Sequence, residues 1–415
     1  MLLIIEIIVR NIFNRLSNIP ARKAFVFALP IALLIVVFSF SLSGGAQQFS
    51  NLANAFLHGQ LNFLHSIGGQ GYDPVLYHGK IYWDEGPFPA IILMPFVALF
   101  SLFHVFFEQG YLQWAILLGI LYVLFKLARK FNYSIEDSLV LMLGFFLGSA
   151  FIGVASDSSS WIYAQALTTA LLFFSIYEYF TRRRWWLIGL LCGLLVLTRI
   201  TAAPVVIFFA LELWHEHKPK IQASKWLQLG LPVVIAGGLY CLYNFLRFHN
   251  PLDSGYAYQL LSPDSAESRS LGIVGLAHIP TNLYSMLLRG PVPVLRDSTS
   301  WTLRFPYLQD NNLGMSIFIT SPYLLNLFTY KWSSFDSRCR HLLIAAGVSA
   351  FLVLSSFAIG SEQFGFRYSL DFLPEIFVLF MILYKKHHDH LSRGIKLLLL
   401  GSGFTNLYLL QGYLY

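Results

Sequence analysis

Three carboxylates, Asp73, Asp84 and Glu85, stand close together early in the chain, among the aromatics Tyr72, Tyr77, Tyr82 and Trp83. A carboxylate within hydrogen-bond reach of an attacking hydroxyl can take its proton, which is general-base chemistry. Two arginines could supply the complementary function. Arg199 interrupts an apolar run, where an ionisable group is costly and faces a cavity or a partner. Arg367 sits at another short turn, and a guanidinium at either place can hold a phosphate through paired hydrogen bonds. Plainer roles exist for each acid. Asp84 or Glu85, before Gly86-Pro87, suits a helix cap, and Asp73 before Pro74 suits a turn. Asp157, in SDSSSW, equally suits an N-cap, and the aromatics suit an interfacial belt. The sequence contains no Cys/His cluster, P-loop or Rossmann glycine pattern, so soluble nucleotide chemistry has no support.

The elements that must position these groups are membrane helices. The 415 residues are 56% hydrophobic and 12% charged. Successive apolar runs have the length a helix needs to cross the ~30 Å hydrocarbon core. No ten-residue alternation recurs, so the fold class expected is all-α, a polytopic helical bundle and not a β-barrel. The net charge of +7 comes from Lys and Arg scattered between apolar segments, which is positive-inside patterning and not a nucleic-acid surface. Cys192 and Cys241 lie in apolar runs and Cys339 in a basic loop, so no disulfide framework is expected.

Charge then orders the spans. Residues 1–20 place Glu6, Arg10, Asn14 and Asn18 at intervals of four, as in a cytoplasmic helix lying along the membrane surface. A signal peptide fits less well, because the basic residues follow the apolar run. Residues 21–415 read as one transmembrane domain. Its first span is Ala24–Leu42, and residues 43–108 form a first outer loop. Pro87–Phe107, broken by Pro95, is read as a juxtamembrane helix, because a full crossing would strand Lys126, Arg129 and Lys130 outside. Further spans are expected at Tyr111–Lys130, Ile135–Ala155, Ile162–Phe180, Trp226–Leu246, Leu313–Tyr330, Leu342–Ile359, Tyr368–Tyr384 and Ile395–Tyr413. Trp185–Trp214 reads as two short helices meeting near Arg199, and residues 247–312 as a large outer loop. The result is about eleven crossings with a cytoplasmic N-terminus. Of the 28 Lys and Arg, all fall inside except Lys80, Arg199, Arg247, Arg269, Arg289, Arg296, Arg304 and Arg367.

Several segments together resemble the GT-C class of bacterial membrane glycosyltransferases, relatives of protein mannosyltransferases and lipid A aminoarabinose transferases. LANAFLHGQL (Leu52–Leu61) and YHGKIYWDEGPFPAIILMPF (Tyr77–Phe96) are similar to the first outer loop of that group, and GLLCGLLVLTRITAAP (Gly189–Pro204) to its glycine-rich helix pair ending in Thr-Arg. YNFLRFHNPLDSGYAY (Tyr243–Tyr258) and FGFRYSLDFLP (Phe364–Pro374) resemble later segments. The resemblance implies transfer of a sugar, with inversion, from a polyprenyl-phosphate donor to a lipid, glycan or protein acceptor at the outer face of a bacterial-type cytoplasmic membrane. It implies a first-loop carboxylate as base, with Asp84 or Glu85 first and Asp73 next. Arg199 and Arg367 are then phosphate contacts, with Arg247 a further substrate-binding arginine, and Tyr82, Trp83 and Tyr368 pack against sugar or prenyl groups. Members of the group differ in their use of a divalent metal, so the resemblance implies no definite cofactor.

One departure bears on the site. The group carries an acid at the start of its first juxtamembrane helix, where this chain has Gly44-Gly45-Ala46-Gln47-Gln48. Either Asp73, Asp84 or Glu85 takes over, or the activity is altered or lost. Two other functions compete: a transporter or flippase, which needs a midplane site and two related halves, and a surface-polysaccharide polymerase or ligase. No convincing internal repeat is present, and few charges fall mid-span.

Overall fold

The computed structural model describes residues 45–65, 73–216, 222–297, 302–357, 360 and 362–414. The interfacial helix expected over residues 1–20 and the span expected at Ala24–Leu42 lie outside the described residues. The described chain is a helical membrane bundle with two small antiparallel ribbons. In order come α1 (Gln48–Leu57), β1 (Val75–Tyr77), β2 (Lys80–Tyr82), α2 (Phe88–Ser101), α3 (Gln109–Lys130), α4 (Ile135–Phe146), α5 (Phe151–Ser156) and α6 (Ser160–Phe180). Next are α7 (Trp185–Val196), α8 (Val205–Glu216), α9 (Ala223–Phe248), α10 (Pro263–Ser270), α11 (Ile279–Leu287), β3 (Val292–Leu295) and β4 (Leu303–Gln309). The chain ends with α12 (Ile317–Thr320), α13 (Ser337–Leu354), α14 (Leu373–His387) and α15 (Arg393–Leu414). Among the described residues, α3, α9 and α13 are both long and apolar enough to cross a bilayer.

The second apolar run forms a short helix. Helix α2 has 14 residues, about 21 Å at ~1.5 Å per residue, which is short of the hydrocarbon thickness. Pro87 precedes it and Pro95 interrupts its hydrogen bonding. Its Ala90, Leu93 and Val97 are buried in a cluster with Phe49, Leu52 and Ala53 of α1. Trp185–Trp214 does divide in two: α7 ends at Val196, a single 3-10 turn spans Ile200–Ala202, and α8 starts at Val205.

Three expected spans differ, and Tyr368–Tyr384 is one: it opens as a 3-10 turn over Arg367–Asp371 and becomes α14 only at Leu373. Ile135–Ala155 breaks into α4 and α5 around Gly148, which lies so close to Ser402 that an added Cβ would be 2.4 Å from Ser402 Oγ. Leu313–Tyr330 is not one α-helix. It forms α12, four residues long, and then a 3-10 helix over Pro322–Thr329. Ser316 caps α12 by accepting from Phe318 N at 3.1 Å, and Pro322, lacking an N–H, cannot continue the α-helical ladder.

Close packing of α7 on α9 brings the Arg199 turn and the end of α9 into one neighbourhood. An added Cβ would lie 2.5 Å from Leu229 O at Gly189 and 2.8 Å from Pro232 O at Gly193. Small residues of this kind let membrane helices approach backbone to backbone. Gly193→Leu is therefore expected to destabilise the protein by about 1–3 kcal/mol, read as a lower unfolding temperature in detergent. Gly237→Ala, where a Cβ meets nothing within 4 Å, should leave that temperature unchanged or raised. Equal behaviour of the two variants would contradict the packing account.

Candidate functional site

The first loop reaches the bundle through a tight ribbon. Val75, Leu76 and Tyr77 pair with Tyr82, Ile81 and Lys80. The turn residues His78 and Gly79 both have positive φ, 48° and 73°, the backbone that a two-residue hairpin of matching twist requires. Leu260 N donates to Pro74 O at 2.9 Å, tying the ribbon to the segment after α9. Trp83, Asp84, Glu85 and Gly86 follow. An added Cβ on Gly86 would lie 2.1 Å from Leu197 O, and Phe88 N donates to that same carbonyl at 3.0 Å. Glycine at 86 thus lets the loop lie directly on the end of α7, beside Arg199. Asp84 and Glu85 do not cap α2, since the cap position is Pro87 and no side chain caps the helix.

Arg199 is held by two carboxylates. Its Nε donates to Asp371 Oδ1 at 3.0 Å and its Nη2 to Asp371 Oδ2 at 3.2 Å, while Nη1 stands 3.6 Å from Glu85 Oε1. Asp371 is fully buried and also accepts from Gln165 Nε2 at 2.7 Å and from the Thr201 hydroxyl. Sequence reasoning passed over Asp371, although it lies four residues after Arg367 in the same quoted segment. Arg367, also buried, donates through Nη1 to Trp161 O at 3.1 Å, and its Nε has no partner. The Tyr368 ring lies 5.3 Å from the Arg199 guanidinium and 5.0 Å from that of Arg367.

The carboxyls of the loop all hold protons more tightly than usual. Burial pushes Glu85 up to about 7, against the opposing charges of Arg199 and Arg367. Burial raises Asp84 well above the carboxylate range, with Glu85 and then Asp73 adding to the rise. Burial also lifts Asp73 to about 6, opposed by Arg367 and by a hydrogen bond with the Trp161 side chain. Asp84 Oδ2 accepts from Gln259 Nε2 at 3.1 Å, whereas Asp84 Oδ1 and Glu85 Oε2 are buried without partners. Adjacent carboxyls in such surroundings titrate as a pair.

The structure thus brings Asp73, Asp84, Glu85, Arg199, Arg367 and Tyr368 together. It turns three other expected residues toward the protein. Trp83 is fully buried, with ring centroids 5.9 Å from Phe49, 6.5 Å from Phe63 and 5.7 Å from Trp161. Tyr82 packs 5.4 Å from Phe248, and both are core aromatics here because α1 and the end of α9 cover them. Arg247 donates to Trp83 O and, at 2.7 Å, to Asn244 Oδ1. Where the resemblance leads one to seek an acid, amides form a network instead. Gln47 precedes α1, and its Oε1 accepts from Gln109 N at 2.9 Å, while Gln109 Nε2 reaches Ala46 O at 3.1 Å and Ser160 Oγ at 3.2 Å. Asp157 braces the turn before α6, accepting from Ser159 N and Ser159 Oγ, each at 2.8 Å; the cap residue itself is Ser159. Among the described residues no group of three or more His, Cys, Asp or Glu side chains is placed to hold a metal ion.

No family model and no curated protein matches the chain. Solved structures do. ArnT from Cupriavidus metallidurans bound to undecaprenyl phosphate matches with 15% identity and a TM-score of 0.46, over 94% of this chain and 63% of that one. The Archaeoglobus fulgidus oligosaccharyltransferase in its apo form gives 13% identity and a TM-score of 0.41, over 93% and 56%. AglB from the same organism, in complex with an inhibitory peptide and a dolichol-phosphate, gives 13% and 0.40, over 94% and 56%. The chain therefore spans less than two thirds of the length of each of these structures.

Asp371→Asn is expected to lower stability by about 3–5 kcal/mol, because removing one partner leaves a buried charge uncompensated. Thr201→Val, which loses a hydroxyl donor to the same carboxylate, should cost about 1.5–3 kcal/mol. Thermal or denaturant unfolding of both variants checks the ranking, and a smaller loss for Asp371→Asn than for Thr201→Val would contradict it.

Proposed function

We propose that the protein is a membrane glycosyltransferase that moves a sugar from a polyprenyl-phosphate donor to a lipid, glycan or protein acceptor at the outer face of the membrane. The observation that carries this reading is the buried carboxyl pair Asp84–Glu85 set beside Arg199 and Arg367, in a loop that rests on the ends of membrane helices. The first-loop and Thr-Arg motifs support it further.

In this reaction the acceptor hydroxyl oxygen attacks the anomeric carbon from the face opposite the phosphate. The carbon–oxygen bond to phosphate breaks, the phosphate leaves with the electron pair, and the sugar inverts. Glu85 takes the hydroxyl proton. It is the member of the pair set to ionise first, because Arg199 stands 3.6 Å away, whereas Asp84 retains its proton. Arg367 is the arginine best placed to meet the leaving phosphate: its hydrogen bond goes to a carbonyl, its Nε is unpartnered, and a fixed donor aimed at developing charge lowers the barrier. Asp371 occupies two nitrogens of Arg199, so Arg199 chiefly orients Glu85. Asp73, near Arg367, is the second candidate base.

The base must be ionised to act. With Glu85 at about 7, transfer should climb as pH rises through about 7. Purified protein reconstituted with a polyprenyl-phosphate-linked sugar checks this. Glu85→Gln is expected to lose the limb and about 10²–10⁴-fold in kcat, with Asp84→Asn and Asp73→Asn measured in parallel. Full activity in all three would remove the first-loop base. No donor turnover, together with solute flux into proteoliposomes, would favour a transporter.

A further inference from the structure

Arg247 is almost completely buried, 2% exposed, at the last turn of α9. Its guanidinium lies 3.7 Å from the centroid of the Tyr243 ring and 4.6 Å from that of Phe248. One nitrogen donates to Trp83 O and another, at 2.7 Å, to Asn244 Oδ1, while Nε is unpartnered. None of the ion pairs among the described residues includes it. A buried charge outside any ion pair is expensive, and the Trp83 carbonyl, the Asn244 amide and two ring faces are what surround it. The residue after the carbonyl it holds is Asp84.

We propose that Arg247 is a positioning residue for Asp84: it fixes the backbone immediately before that carboxyl and sets a buried positive charge beside it. The inference rests on reading Asp84–Glu85 as the carboxyl pair of a glycosyl-transfer site. A second hold comes from the segment after α9, where Gln259 Nε2 donates to Asp84 Oδ2 at 3.1 Å and Gln259 itself bridges to Val75. The end of α9 thus grips the loop's backbone, and the following segment grips its side chain. Around Asp84, Glu85 and Asp73 add to the hold of its proton and Arg247 opposes it; Tyr240, Tyr243 and Tyr256 also face it. Lysine keeps the charge but lacks the planar fork that stacks on Tyr243 while donating in two directions.

The first arm of the test separates charge from geometry without depending on turnover. Infrared difference spectra of the full-length protein in nanodiscs, with Asp84→Asn as the reference, follow the Asp84 carboxylic-acid C=O band through a pH titration. Arg247→Met is expected to move the midpoint upward by about one pH unit, a tenfold change in the ionisation equilibrium, and Arg247→Lys to leave it in place. An unchanged midpoint in Arg247→Met overturns the proposal. Should Arg247→Met fail to fold, Arg247→Lys carries the test through sugar transfer. A kcat loss of about 10- to 100-fold at unchanged donor KM supports positioning, and wild-type kcat overturns it. A shifted midpoint in a protein that transfers no sugar would sink the glycosyltransferase reading and leave the positioning role standing.

Discussion

The buried pair between Arg199 and Asp371 is the interaction on which the rest of the site depends. Two charges removed from water cost several kcal/mol each, and their attraction repays this only when geometry is good and the remaining lone pairs are satisfied. Here the guanidinium meets both carboxylate oxygens, and Thr201 and Gln165 fill the remaining acceptor positions. The pair joins α6, the turn between α7 and α8, and the 3-10 turn at Arg367–Asp371. With two of its nitrogens committed, Arg199 presents the third to Glu85. The first loop, itself held against Leu197 by the absence of a side chain at Gly86, then closes the site over these helix ends.

On the proposed reading, the base belongs to the first loop, and the start of α1 carries amides where the resemblance implies an acid. Gln47, Gln109 and Ser160 hydrogen-bond there, at the meeting point of α1, α3 and α6. The carboxyls instead lie one ribbon further along, where burial raises their proton affinity and the arginines oppose the rise. A base near neutrality needs both effects, since burial alone would leave the acid neutral and the arginines alone would leave it a weak acceptor.

Much of this was legible in the sequence for identifiable reasons. Apolar runs of membrane length fix the helical class, and a lone Arg199 between two Thr in an apolar stretch marks the break between α7 and α8. Pro87 and Pro95 bound and interrupt the second apolar run, and α2 is accordingly short. Other features were hidden. The ribbon β1–β2 has three residues per strand, too few to show alternation, and its signal was His78-Gly79 alone. Residues 313–330 are apolar enough for a span, but composition does not register what Ser316 and Pro322 do to the backbone. Trp83, Tyr82 and Arg247 are types that bind ligands, and which way each faces depends on partners from other segments, Trp161 for Trp83, Phe248 for Tyr82 and Trp83 for Arg247, which no local pattern encodes. Asp371 looked like one more residue in a short turn, because its partners Gln165, Arg199 and Thr201 come from two other segments.

In the proposed reaction the lipid phosphate is met by Arg367, the arginine with a donor left to give. Titration of undecaprenyl phosphate into the nanodisc-reconstituted protein measures this directly, with Arg367→Gln beside the wild type. The account predicts saturable binding that weakens about 10- to 100-fold in the variant, the range for losing a charged hydrogen bond. Equal affinities for the two proteins, or no saturable binding by the wild type, would contradict it.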